Sequence, residues 1–219
     1  TLIIYVQGLS YNYLLWDDNV YLYENPTIDN WSFSVLFTEF VQGNYHPITM
    51  LSYKFFRIFS NGVEIQHFIN LILHLGNGFI CYLILKELFS NKWLAIIGGS
   101  LFLVHPMHVE SVQWLSERKD VLYSFFFLLS FGLYVKYTDE DLTRKRIILL
   151  VSLFVLAVLS KAMAIVLPLC FLAYDLCFGR LNKKRVYLNS GLLFISILFG
   201  VIAIYAQGEV LVVEENSKS

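Results

Sequence analysis

Asp17 and Asp18 stand side by side in the stretch LLWDDNVYLYENP, residues 14–26, directly after an apolar N-terminus. Adjacent carboxylates can divide two tasks. One takes a proton from a hydroxyl nucleophile, while the other binds a reactant or caps backbone N–H groups. A cap needs one Asp, so two acids among aromatic neighbours point to a site.

A second run, HPMHVESVQWLSERKD at 105–120, holds His105, His108 and Glu110, then Glu117, Arg118, Lys119 and Asp120. Arg118 offers a fork of donors and Lys119 a point charge, a combination that holds phosphate. The same residues also read as an ion-pair cluster with Glu117 and Asp120. His105, His108 and Glu110 are metal-ligating types, but their spacing is no standard zinc pattern. Hydrogen bonding is therefore the preferred reading, no metal is assigned, and a divalent ion is the lesser alternative. Lys161, alone in VLSKAMAIVLP, is either a snorkelling lysine or a further cation of the same site. His67, Asn70, His74 and Asn77, spaced 3, 4 and 3 apart, share one stripe of a helix. They either bind neighbouring helices or line a cavity. His46, before Pro47 in a turn, joins the residues lining the site.

The elements that position these groups follow from composition. The chain has 219 residues, 57% hydrophobic and 15% charged, with a net charge of −1. Globular domains are nearer a quarter charged. Recurrent long apolar runs without strict alternation give an all-α, polytopic helical membrane protein of about seven spans rather than a barrel. The spans are 1–12 (partial), 66–89, 92–107, 121–137, 146–160, 162–178 and 188–206. Between the first two lies a polar and aromatic loop, 13–65, with short amphipathic helices at about 31–41 and 47–60. Residues 1–206 read as one membrane domain and 207–219 as the start of a further outer loop, with the chain a fragment of a longer protein. Cys81, Cys170 and Cys177 fall in apolar runs and read as small buried side chains. No basic run interleaved with aromatics suggests nucleic acid.

Charge orients the chain. Placing 13–65 outside puts Lys86, Lys92, Lys136, Arg144, Lys145, Arg146, Arg180, Lys183, Lys184 and Arg185 inside, ten of the 16 basic residues. The positive-inside rule favours that arrangement. All the candidate site residues then gather on the outer side, where Arg118 and Lys119 break the charge pattern.

In this order, WDD (16–18), NP (25–26), NYHPITMLSY (44–53), HFINLILHLGN (67–77), HPMHVESVQWLSERKDVLY (105–123) and LSKAMAIVLP (159–168) resemble the membrane part of C-type glycosyltransferases. The nearest likeness is to bacterial relatives of the transmembrane-and-tetratricopeptide-repeat O-mannosyltransferases. The resemblance implies an active site facing the periplasm from a bacterial inner membrane. It implies transfer of a sugar from a polyprenyl-phosphate donor to a hydroxyl of a protein or glycan acceptor, with inversion. Asp17 would be the base and Asp18 its neighbour, with Arg118, Lys119 and Lys161 on the donor phosphate. His46, His67, His74, His105, His108, Glu110 and Asp120 would line the site. No 34-residue helical repeat is visible.

Two competitors stand beside this reading. One is a secondary transporter using the outer acids and the intramembrane histidines, though no two-half symmetry is apparent. The other is a catalytically dead scaffold, against which the intact Asp pair argues.

Overall fold

A computed structural model describes residues 2–14, 16–23, 25, 28, 33–59, 62–137 and 142–217. Among these residues the chain is helical throughout, with a single isolated bridge between Val41 and Asn44 and no strand. A short α1 (Leu2–Tyr5) runs into a 3-10 turn at Val6–Ser10. A π-helical turn at Asn19–Tyr23 precedes α2 (Phe33–Thr38) and α3 (Pro47–Arg57). Then come α4 (Val63–Phe89), α5 (Lys92–Val104), α6 (His108–Gln113), α7 (Arg118–Lys136), α8 (Arg144–Ser160), α9 (Leu167–Cys177) and α10 (Lys183–Ser217).

Local chemistry sets the boundaries. Pro47 begins α3, where its missing N–H costs nothing. The turn between α4 and α5 uses Ser90 in the left-handed region (φ 52°). Asn91 then caps α5, its Oδ1 accepting from the N–H of Trp93 (3.0 Å) and of Leu94 (3.3 Å). These two helices approach closely because glycines face the contact. A Cβ on Gly99 would sit 3.2 Å from the Gly78 carbonyl oxygen and 3.0 Å from Tyr82 Cβ.

The expected elements map onto these helices with one clear difference. Among the described residues, two helices are long and apolar enough to cross a membrane, Val63–Phe89 and Lys183–Gly208. The seven expected spans therefore do not appear as seven full-length helices. The first is a four-residue helix and a 3-10 turn, α5 has 13 residues, and the 162–178 segment is divided into a 3-10 turn (Ala162–Val166) and α9. At 1.5 Å per residue, α5 is about 20 Å long, short of a ~30 Å hydrocarbon core. The backbone of α10 continues as helix through Ser217, past the boundary expected at 206.

Consecutive long helices run back and forth, so their turns collect at two ends. One end gathers residues 6–14 and 16–18, α3, the 105–117 segment and 161–166. Hydrogen bonds tie these pieces together, among them Thr49 Oγ1 to the Ser160 carbonyl (2.9 Å) and Tyr53 Oη to the Leu115 carbonyl (2.5 Å). The other end gathers residues 89–92, 136–137, 142–144 and 177–183. There Arg185, fully buried, pairs with Asp175 (2.8 Å) and donates to the Tyr137 carbonyl (2.7 Å). Tyr134 donates to the other Asp175 oxygen (2.5 Å) and stacks on Phe171, ring centroids 3.9 Å apart. The core between α7, α8, α9 and α10 includes Tyr134, Phe154, Ala157, Leu167, Phe171 and Leu192. A smaller cluster of Tyr21, Leu22, Leu36, Met50, Tyr53 and Leu115 closes the site end. Large apolar side chains face outward along α4, α5 and α10, including Phe79, Trp93, Ile97, Ile197 and Ile204.

Candidate active site

The segment 16–21 lies along 114–119, and successive residues pair. Trp16 stacks on Trp114 (6.0 Å between centroids). Asp18 Oδ1 accepts from the Ser116 N–H (2.9 Å) and from the Ser116 hydroxyl. Lys119 Nζ lies 5.0 Å from the centroid of the Tyr21 ring. The Asp18 carboxylate also accepts from the Leu14 N–H (2.9 Å) and is buried. It is thereby committed to holding two chain segments together. Asp17 is half-buried, and its side chain has no hydrogen bond or ion pair among the described residues. Its charge reaches Tyr21. Burial pushes that phenol above its usual range, the Asn44 hydrogen bond opposes this, and Asp17 and then Glu117 add to it.

Next to this seam lies a mixed charge cluster. Lys119 pairs with Glu117 Oε1 (2.8 Å), and Lys161 pairs with Asp120 Oδ1 and, more distantly, with Glu117 Oε2 (3.8 Å). Ser111 Oγ donates to Asp120 Oδ2 (3.2 Å). Two lysines from separate turns thus meet two acids, so the ion-pair reading of 117–120 is realised for Lys119. Burial pushes the Glu117 carboxyl up, and the Lys119 hydrogen bond and charge work against that. Lys161 does not snorkel away from the protein. It turns into the cluster.

Arg118 is placed differently. It is completely buried, Nε donates to Asn70 Oδ1 (2.8 Å) and Nη2 to the Gln66 carbonyl (2.8 Å), and the guanidinium lies 4.4 Å from the Tyr53 ring centroid. It has no carboxylate partner among the described residues, and Nη1 is unpartnered there. Arg118 thus clamps α4 to α7 while carrying an uncompensated charge, which is expensive unless an anion completes it.

The α4 stripe divides by residue. Asn70 and Asn77 donate to the carbonyls of Val112 (3.4 Å) and Val121 (2.9 Å), as helix-binding side chains do. His67 is buried on the same stripe. His74 bonds through Nε2 with the Leu103 carbonyl (3.1 Å) and lines a cavity of about 370 Å³ with Asn77, His108, Ser111 and Asp120. Its remaining wall is largely apolar, from Phe102, Val121, Phe127 and Met163 among others. The His105 and His108 rings lie 5.8 Å apart, His105 and Glu110 are exposed, and His105 Nδ1 accepts from the Met107 N–H (3.3 Å). Among the described residues no three His, Cys, Asp or Glu side chains converge as a metal site would require. His46 sits apart from these, buried against Tyr21 (5.3 Å between centroids) in a small cavity with Lys119 and Lys161. Burial first, then those two lysine charges, push its pKa down to about 3.

Ser116, Tyr53 and Gln66 are functional supports that motif reading misses. Ser116 lies inside the quoted HPMHVES…ERKD run, but nothing local marks a serine as the partner of an acid 98 residues away.

The chain is similar to curated protein O-mannosyl-transferases. It is 35% identical to Protein O-mannosyl-transferase TMTC1 of Homo sapiens over 161 residues, 68% of this chain and 18% of that protein. Similarity to Protein O-mannosyl-transferase Tmtc1 of Drosophila melanogaster is 30% over 149 residues, 66% of this chain and 17% of the relative. Against Protein O-mannosyl-transferase TMTC3 of Mus musculus it is 32% over 125 residues, 56% and 14% respectively. These partial matches support a relationship with that family. The chain spans less than a fifth of the length of the relatives it matches. No family model matches the chain, and no solved structure matches it significantly.

Proposed function

We propose that this chain carries the catalytic end of a membrane glycosyltransferase that moves a sugar from a polyprenyl-phosphate carrier to a hydroxyl of a protein acceptor. The observation that carries the reading is the seam of 16–21 on 114–119, which sets Asp17, a carboxylate with no side-chain partner among the described residues, next to a mixed cluster of two lysines and two acids from two other turns. The similarity to protein O-mannosyl-transferases supports the reaction class and the protein acceptor.

In this reading the acceptor hydroxyl attacks the anomeric carbon from the face opposite the phosphate, so the configuration inverts. The new C1–O bond forms as the C1–O bond to phosphate breaks. The hydroxyl proton passes to Asp17, and the bonding electron pair leaves on the phosphate oxygen. A phosphate monoester is a stable anion, so its departure needs cations rather than a strong acid. In this reading Lys119, Lys161 and Arg118 supply those cations. The cavity of about 370 Å³, apolar with a polar end at Asp120 and His108, suits the first isoprene units of the carrier. The outward apolar faces of α4, α5 and α10 support residence in a bilayer, in the reading a bacterial inner membrane crossed about seven times with the site on the periplasmic side.

The test supplies a polyprenyl-phosphate sugar to membranes holding the full-length protein and compares wild type with Asp17→Asn. Transfer should fall by about 10² or more if Asp17 is the base. Undiminished transfer by Asp17→Asn removes it from that role, and absence of transfer from every sugar offered removes the reaction class.

A further inference from the structure

His46 presents a buried, neutral imidazole whose two nitrogens have no hydrogen-bond partner among the described residues. Leaving such a ring unpaired is unfavourable, so its persistence in a polar setting needs a reason. The ring lines a cavity also lined by Lys119, Lys161, Asn44 and Gln207. It immediately precedes Pro47, the first residue of α3, so the positive end of that 11-residue helix lies at the same place. Two ammonium groups, a helix N-terminus and an unused N–H therefore converge; Glu117 and Asp120 already pair with the lysines from their other side, while the helix end and the imidazole N–H have no acid partner among the described residues.

The volume narrows the ligand. The cavity is small, about 30 Å³, room for one or two waters, which favours a compact anionic group over a whole sugar. A phosphodiester presents two non-bridging oxygens and one negative charge.

We propose that His46 is a donor-binding residue whose ring N–H hydrogen-bonds a non-bridging oxygen of the carrier phosphodiester, between Lys119 and Lys161. The inference rests on the glycosyltransferase reading and adds to it the ligand that orients the phosphate. As the sugar leaves, the phosphate gains one negative charge, and the imidazole N–H and the lysines bear on the oxygens where that charge accumulates. His46 needs no proton transfer for this, since a neutral imidazole already donates one N–H. The Tyr21 ring stacked against it fixes the plane from which it donates.

The experiment uses the full-length protein in lipid nanodiscs with ¹⁵N-labelled histidine and three probes: farnesyl phosphate, farnesol and inorganic phosphate. Farnesyl phosphate should shift the ring resonances that are missing in His46→Phe, and farnesol should leave them in place. The His46→Phe protein, which keeps the stack on Tyr21, should bind farnesyl phosphate about tenfold or more weakly, the loss of a hydrogen bond to a charged group. His46→Gln, which restores a donor, should recover part of that loss. If farnesyl phosphate binds while the His46 signal stays still, the inference is overturned and the donor reading survives. If inorganic phosphate shifts the signal and farnesyl phosphate does not, His46 is an anion ligand for free phosphate and the donor reading falls. If no phosphate probe binds, both fall.

Discussion

The carboxylate of Asp18 accepts both the backbone N–H and the hydroxyl of Ser116, 98 residues further along the chain. That relationship separates two adjacent aspartates into a structural acid and an available one. Asp18→Ala leaves three donors short of an acceptor, those of Leu14 N–H, Ser116 N–H and Ser116 Oγ. The expected cost is about 2–4 kcal/mol, read as a lower thermal unfolding midpoint in detergent. Asp17→Asn should leave that midpoint within about 1 °C while removing sugar transfer. Equal destabilisation by both substitutions would erase the distinction.

His46 makes stability depend on pH. Its folded pKa, about 3, lies below the ordinary 6.5, so the unfolded chain binds a proton that the folded chain refuses. Stability is complete above about pH 6.5 and declines as pH falls toward 3. By pH 5 the loss reaches roughly 2 kcal/mol from this group. A pH series of unfolding midpoints should show a shallower slope for His46→Phe than for wild type between pH 6.5 and 5.

The buried pair at the opposite end should behave in the manner of buried ions. Arg185→Met strands the Asp175 charge with a Tyr134 hydroxyl for company, and should cost about 3–5 kcal/mol. Arg185→Met with Asp175→Leu should recover most of that loss. A double variant as unstable as the single would show that the pair itself, and not relief of a stranded charge, sets the stability.

Gly8 is fixed by a neighbour from far along the chain. A Cβ there would occupy the position of the Gln113 side-chain amide, which donates to the Tyr5 carbonyl (3.2 Å). The amide is the mobile end of its side chain, so Gly8→Ala should displace it and forfeit that bond, about 1 kcal/mol. In a double-mutant cycle, Gly8→Ala should cost clearly less once Gln113 is already Ala. Additive losses would place the strain in the backbone instead.

Much of the helix map was legible because apolar periodicity survives in a single sequence. The intervals 66–89 and 146–160 fall within α4 and α8, 121–137 overruns α7 by one residue, and the helix expected at 47–60 is α3, which ends at Arg57. The one-sided stripe on α4 was legible for the same reason, and Asn70 and Asn77 use it to bind neighbours. Other features left no such mark. Arg185 reads as one more cation of an inner turn, yet it is buried, because its partner Asp175 arrives from the preceding helix. The 1–12 segment is apolar enough to suggest the last part of a spanning helix, and its described residues form a four-residue helix and a 3-10 turn at the site end. Division of labour between Asp17 and Asp18 depends on a serine supplied by another turn, and no spacing rule encodes that.

The bonds that define the site end join residues separated by 98 (Asp18–Ser116), 111 (Thr49–Ser160) and 41 (Lys161–Asp120) positions. Closing such long loops carries an entropic cost that must be met before the contacts repay it. During synthesis the segment bearing Asp17 emerges first, yet its companion Ser116 follows five helices later and Lys161 two helices after that. The candidate-site end therefore cannot assemble until residue 161 has been made, and a nascent protein holds Asp17 and Asp18 for a long interval before Lys119 and Lys161 exist.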